Sequence, residues 1–254
     1  MKLIGLDLDG TLINPDESIS EATISYLKHL VEGGLYIAIV TGRPYNEACY
    51  LLERNGLTPA LGFPHFLICE ERDIYSLKDA SHYEPWEPRN SELLAKERSL
   101  LLQGNEAAAR LAEEHQLPFF INNKVLQQGR GFVEITFSSR EAAQEGLEKV
   151  RDIALEYGLN PIRNNRGLAF RHKEVGKLHA LRLVAEYVGA ADHEVLAVGD
   201  SHNDLGMLTS GFYGATTNNA DRDIKEAVLS VGGYVSSKNA SEGVADILKV
   251  RFAL

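Results

Sequence analysis

Apolar positions recur along this chain in two alternating rhythms. Short, nearly unbroken apolar runs at residues 3–6, 35–40, 66–69, 195–198 and 212–215 have the length and two-sided apolar character of buried strands. Between them lie amphipathic stretches with helix punctuation. Residues 20–32 open on Ser20 as N-cap and stop at Gly33 and Gly34, and residues 45–55 close on Gly56. Residues 177–188, 204–210, 221–229 and 243–250 read as further helices, and 73–77 as a hairpin extension of the strand at 66–69. Strand alternating with helix is the βαβ rhythm of a parallel sheet.

The rhythm breaks in the middle. The stretch Tyr83, Glu84, Pro85, Trp86, Glu87, Pro88, Arg89 marks a crossing into an insert. Within it, 91–103 and 106–115 are helical by composition, with Gly104 and Asn105 separating them, and 140–157 is a third helix. Strands are expected at 118–122, 131–137, 160–163 and 168–171. The pattern predicts an α/β fold, a Rossmann-like parallel-sheet core over 1–80 and 174–254 with an inserted α+β cap over 81–173. Leu100, Leu101 and Leu102 are assigned to the cap's interior and Trp86 to packing at the junction. There is no internal repeat and no low-complexity segment.

Charge narrows the partners. A net charge of −10 argues against nucleic acid or an anionic membrane as the main target. Residues 82–172 carry 12 Lys and Arg against 13 Asp and Glu, so nearly all the excess acidity lies in the core, as a cation-dependent site tolerates. No apolar run approaches the ~20 residues that span a bilayer, and the N-terminal run is too short for a signal peptide. Cys49 and Cys69 lie in apolar elements and read as buried thiols, which fits a reducing cytoplasm. Oligomeric state has no signal.

Candidate chemistry sits at the strand ends. Asp7 and Asp9 follow the first run and share one face of an extended chain. Open α/β sheets bind ligands at that edge. Two carboxylates there can divide nucleophile and general-acid work if a cation offsets their repulsion, although Asp and Gly after a strand also make ordinary turns. A second run delivers Gly199, Asp200, Ser201, His202, Asn203, Asp204, with Asp204 expected one helical turn beyond Asp200. Oxygen donors of this kind suit Mg²⁺. No zinc-type spacing of His or Cys is present. Thr41, Gly42 and Arg43 end another run, where a hydroxyl and a loop can meet a phosphate, and Lys177 opens a helix.

In this order and spacing the segments resemble the haloacid dehalogenase superfamily of aspartate-nucleophile phosphotransferases. Asp7-x-Asp9-Gly10-Thr11 matches the first motif, Thr41-Gly42-Arg43 the second, Lys177 the third and Gly199-Asp200-x-x-Asn203-Asp204 the fourth. The insert between the second and third is what the type IIB, Cof-like subfamily shows. Relatives often carry Gly just after the lysine, whereas this chain has Gly176 before it, and Glu70-Glu71-Arg72 stands where they commonly carry Asn-Gly.

The resemblance implies a Mg²⁺-dependent phosphomonoester hydrolase acting through an aspartyl-phosphate on a small phosphorylated metabolite, a sugar or polyol phosphate. Asp7 is then the nucleophile and Asp9 the acid and base. Thr41, Gly42, Lys177 and Asn203 hold phosphate. The metal falls to Asp7, Asp200, Asp204 and the Asp9 carbonyl. His202 reads as a loop residue. Arg43, and in the cap Lys124, Arg163 and Arg166 on polar turns, are candidate substrate contacts. A phosphomutase with the same intermediate and a non-catalytic phosphometabolite-binding protein are the alternatives. Mutases of that kind carry a longer glycine-rich fourth motif, and every side chain that catalysis needs is present here.

Overall fold

The computed structural model describes residues 1–79 and 81–254. Along the chain, β1 (Leu3–Leu6), α1 (Glu21–Glu32), β2 (Tyr36–Val40), α2 (Tyr45–Arg54), β3 (Phe66–Cys69), β4 (Asp73–Lys78) and β5 (His82–Pro85) form the first stretch. Then come α3 (Arg89–Ser99), α4 (Leu101–His115), β6 (Phe119–Ile121), α5 (Asn123–Gln127), β7 (Val133–Phe137), α6 (Arg140–Glu156), β8 (Leu159–Asn164) and β9 (Gly167–His172). The chain ends with α7 (Lys177–Tyr187), β10 (Val195–Gly199), α8 (Leu205–Thr209), β11 (Tyr213–Thr216), α9 (Arg222–Ser230), β12 (Tyr234–Val235) and α10 (Ala240–Phe252). Two compact units result, Met1–Trp86 with Lys177–Leu254, and Glu87–Gly176.

The first unit holds an eight-stranded sheet in the order β12-β11-β10-β1-β2-β3-β4-β5. From β12 to β3 every pairing is parallel, and β4 and β5 continue it antiparallel. Alternation along the strands divides the core in two. Ile4, Leu6, Ile37, Ile39, Leu196 and Val198 pack with α1, α2 and α10. Leu3, Ala38, Val40, Val195 and Ala197 pack with α7, α8 and α9. Burial on both faces explains why these strands read as unbroken apolar runs. Strand β5 occupies residues that the sequence assigns to the crossing, because Tyr75, Ser76, Leu77 and Lys78 pair with Pro85, Glu84, Tyr83 and His82. Ala80, where the sequence-based boundary falls, lies outside the described residues.

The second unit is a four-stranded antiparallel sheet, β6-β7-β9-β8. Its core joins Val133, Ile135, Phe137, Leu168 and Phe170 to Ala107, Ala108 and Leu111 of α4 and to Val150 and Ile153 of α6. Two expectations fail here. Gly104 lies inside α4 instead of ending a helix, and the break falls at Leu100. A Cβ at Gly104 would stand 3.1 Å from Val133 Cγ2, so the residue is small because the helix lies against β7. Leu102 is 66 % exposed while Leu100 and Leu101 pack inward. Successive helical residues are turned by about 100°, so three consecutive leucines cannot share one face.

Candidate active site

The carboxyl ends of β1, β2 and β10 converge on one cluster. Asp7 directly follows β1, its amide donating to Val198 O at 2.9 Å. Its carboxylate is buried, and Oδ1 accepts from Lys177 Nζ at 2.6 Å. The same ammonium donates to Asp204 Oδ1, also at 2.6 Å. Lys177 is the first residue of α7 and almost fully buried. Two carboxylates thus flank one ammonium where water is excluded. Burial pushes the Lys177 ammonium down, but Asp204 and then Asp7 outweigh it and hold the group well above its ordinary range. Asp7 is raised in turn, by burial first and then by the charge of Asp204, against the opposing pull of Lys177.

Asp204 is not one α-helical turn beyond Asp200. Residues His202–Asp204 form a tight three-residue turn, which folds Asp204 back so that Oδ2 accepts from the amides of Asp200 and Ser201 at 3.0 and 2.9 Å. Both its oxygens are therefore engaged within the protein. Asp200 accepts from Thr11 Oγ1 at 3.1 Å and from Asn219 Nδ2 at 3.0 Å, and burial with the nearby Asp204 charge pushes it up to about 6. Oxygens of Asp7, Asp200 and Asp204 lie within 4.8 Å of one another. That is a hard, all-oxygen donor set. Gly10, at φ +75°, brings the loop over Asp200, and a Cβ there would stand 2.5 Å from Oδ2.

Asp9 differs from Asp7 in setting, being exposed and held by Arg43. Arg43 Nε meets its two oxygens at 3.0 and 2.8 Å, and Nη2 adds a bond of 2.6 Å. Thr41 is buried, with Oγ1 accepting from the Arg43 amide at 3.1 Å. Gly42 follows it, beside Glu71, whose Oε1 would lie 3.5 Å from a Cβ at that position. Asn203 donates Nδ2 to Glu71 Oε1 at 2.7 Å. His202 Nε2 lies 2.6 Å from Asp223 Oδ2, which ties the loop to the start of α9.

Asp7, Asp9, Thr41, Gly42, Arg43, Lys177, Asp200, Asn203 and Asp204 therefore belong to one unit, in which Lys177 joins Asp7 to Asp204, Arg43 holds Asp9, and Glu71 joins Asn203 to Thr41. Lys124, Arg163 and Arg166 belong to the other. Lys124 is exposed on α5, and Arg166 is exposed in the turn between β8 and β9. Arg163 is buried, with Nη1 donating to Gln144 of α6 at 3.2 Å, so it packs within the sheet layer instead of standing in a solvated turn. Sequence reasoning missed Asn219 and Glu71. Asn219 carried no signal beyond an Asn-Asn turn, whereas the departure at 70–72 marked Glu71.

Comparison with known proteins gives the family and the fold. The sequence model for haloacid dehalogenase-like hydrolases matches residues 4–70 and 63–248. A phosphoglycolate phosphatase of Methanospirillum hungatei is 25 % identical over 246 residues, covering 97 % of this chain and 94 % of that one. The 5-amino-6-(5-phospho-D-ribitylamino)uracil phosphatase YitU of Bacillus subtilis is 26 % identical over 279 residues, covering 99 % and 98 %. Among solved structures, the sucrose-phosphatase of Synechocystis, in complex with sucrose and phosphate, superposes with a TM-score of 0.73 at 17 % identity, covering 99 % of this chain and 97 % of that one. A sugar phosphatase of haloacid dehalogenase subclass IIB gives a TM-score of 0.65 at 20 % identity, covering 100 % and 98 %.

Proposed function

Because this chain belongs to the haloacid dehalogenase-like hydrolases, in their Cof-like form, and is a phosphoric monoester hydrolase, we propose that it hydrolyses a small sugar or polyol phosphate through an aspartyl-phosphate on Asp7. The observation that carries this reading is a buried carboxylate at the β1 terminus, fixed by a lysine that is itself fixed by Asp204. A nucleophile held in one orientation needs little reorganisation to reach phosphorus.

Phosphoryl transfer is mainly positioning and charge neutralisation. Asp7 attacks the phosphorus and the ester oxygen leaves. Asp9 gives that oxygen a proton, then takes one from the water that opens the acyl phosphate, so the group returns to its starting state after two steps. Its carboxylate starts in the grip of Arg43. An arriving phosphate competes for that guanidinium, and the freed Asp9 takes up a proton from water, which it carries to the leaving oxygen. Thr41, Gly42 and the Lys177 ammonium hold the phosphoryl oxygens. Asn203 retains one amide N–H for the same purpose, since Glu71 takes the other.

The oxygen set of Asp7, Asp200 and Asp204 fits a divalent cation of the Mg²⁺ type, and the Asp9 carbonyl is the backbone ligand that the family resemblance implies. Mg²⁺ would supply neutralisation of the phosphoryl charge and relief of the repulsion that raises both Asp7 and Asp200. Asp204 orients Lys177 through one oxygen and the loop through the other, and would stand beside the metal as a ligand or as the holder of a metal-bound water. Cys49 and Cys69 are unpaired thiols, in keeping with a reducing cytoplasm, and no helix among the described residues is long and apolar enough to cross a membrane. A phosphate-release screen over sugar, polyol and nucleotide monoesters, run with Mg²⁺ and after EDTA, tests the reading. Turnover of polyol or sugar esters that EDTA abolishes is expected. Full activity after exhaustive chelation contradicts the metal assignment, and turnover confined to nucleotides contradicts the substrate class.

A further inference from the structure

The turn that follows β3 is costly in two independent ways. Glu71 adopts φ +56°, directly after Glu70 at +53°. This is the left-handed region, which a residue with a long side chain seldom occupies. The Glu71 amide donates to Thr41 O at 3.0 Å and the Glu70 amide to Arg43 O at 2.9 Å, so the strained turn is laced to the loop that carries the candidate phosphate ligands. The side chain is a buried carboxylate at 5 % exposure. Oε1 accepts from Asn203, but buried Oε2 has no hydrogen-bond partner among the described residues, and neither does buried Asn203 Oδ1. Two acceptors linked through one contact thus lack a donor. Strain and unmet acceptors at one place are characteristic of functional sites.

Chemistry limits what can fill the gap. The amide of Asn203 cannot be reversed without setting its oxygen against a carboxylate, so both open atoms are acceptors and the missing partner is a donor. Glu71 also adds charge to a site already rich in carboxylates. Asp7, Asp200, Asp204 and Glu71 stand around the single ammonium of Lys177, which feels the Glu71 charge as well as those of Asp204 and Asp7. A second anionic group on the substrate would add to that surplus, because the Arg43 guanidinium is already shared between Asp9 and the phosphate. A hydroxyl admitted by a small turn of the Glu71 or Asn203 side chain would meet two acceptors.

We propose that Glu71 and Asn203 form an acceptor pair that selects phosphomonoesters bearing a hydroxyl close to the ester carbon and disfavours those bearing a carboxylate there. Selection of this kind works by attraction to one substrate and repulsion of the other. The inference rests on the phosphatase reading and narrows its substrate class. It assigns Glu71 as a specificity-determining residue, at the place where the sequence departs from the Asn-Gly of its relatives.

Glycerol phosphate and phosphoglycolate make the test, since they differ in whether a hydroxyl-bearing carbon or a carboxylate follows the ester carbon. The readout is the ratio of kcat/KM for glycerol phosphate to that for phosphoglycolate. Glu71→Gln keeps the shape but removes the charge and turns one acceptor into a donor. Glu71→Asn tolerates the left-handed turn better and withdraws the carboxylate from the site, so at least one folded variant is secured, with folding checked by thermal melting. The ratio is expected to favour glycerol phosphate in the wild type and to fall at least fivefold in each folded variant. A smaller fall with turnover intact overturns the proposal and leaves water as the partner of the two acceptors. Absence of phosphate release by the wild type from either ester and from p-nitrophenyl phosphate overturns the phosphatase reading itself, and this inference with it.

Discussion

At Asn219 one side chain meets groups from separate segments. Nδ2 donates to Gly10 O at 2.8 Å and to Asp200 Oδ2 at 3.0 Å, while Oδ1 accepts from the Ala240 amide at 2.7 Å. The loop after β1, the loop after β10 and the start of α10 are thereby held in register. Partners behind a ligating carboxylate commonly change metal affinity by about 10–100-fold when lost. Asn219→Ala is therefore expected to raise the Mg²⁺ concentration for half-maximal phosphate release about tenfold, with a smaller change in rate at saturating metal. An unchanged Mg²⁺ titration would show that Asp200 holds its orientation through Thr11 and Ser201. None of this was legible in the sequence, because an Asn-Asn pair is what any exposed turn would use. The sheet edge that carries Asp7 and Asp9 was legible, since an apolar run followed by Asp-x-Asp-Gly marks a strand end, whereas Lys177 was reached only through the family resemblance.

Elements supply their own tests. In the second unit, α3 and β9 are tied by a buried ion pair, with Arg171 Nε 2.6 Å from Glu97 Oε1 and Nη2 3.0 Å from Oε2. The guanidinium also lies over the Phe132 ring at 3.9 Å. Removing one partner of such a pair leaves a buried charge and costs about 3–5 kcal/mol, whereas replacing both with apolar residues is often neutral. Glu97→Met should destabilise strongly in urea unfolding and Glu97→Met with Arg171→Met should recover most of the loss. A mild effect of the single change would mean that water reaches the arginine. In the core, His65 Nδ1 accepts the Ile37 amide of β2 at 3.1 Å, and burial lowers the imidazole pKa below its ordinary 6.5. The neutral form is thus the folded form. Its contribution is fully present above the unfolded value and lost as pH falls through the lower folded one. Urea midpoints should drop on acidification below about pH 6.5, less steeply in His65→Gln, which keeps an acceptor. Identical slopes in both proteins would remove His65 from the account.

For the whole molecule, the parallel core was readable because its strands are buried on both faces and its first two helices stop at Gly33 and just before Gly56, so periodicity and punctuation coincide there. The antiparallel unit was readable in kind but not in detail. Gly104 resembles a breaker and serves close packing, and Asn123–Gln127 forms a short helix, with Val125 buried, where the sequence reads as a polar turn. The substrate contacts expected of Lys124, Arg163 and Arg166 were drawn from turn composition, which does not distinguish a solvated arginine from one turned inward, as Arg163 is. What joins residue, element and molecule is the placement of Asp7, which the sheet order puts at the terminus of a central strand with β10 and β2 on either side. The most direct test of its role is to quench wild-type enzyme in acid during turnover of an accepted phosphomonoester and to map the peptides by mass. A phosphoryl group on Asp7, absent from an Asp7→Asn protein that is folded and inactive, is the predicted result. An unmodified Asp7 together with undiminished phosphate release by Asp7→Asn would contradict the account.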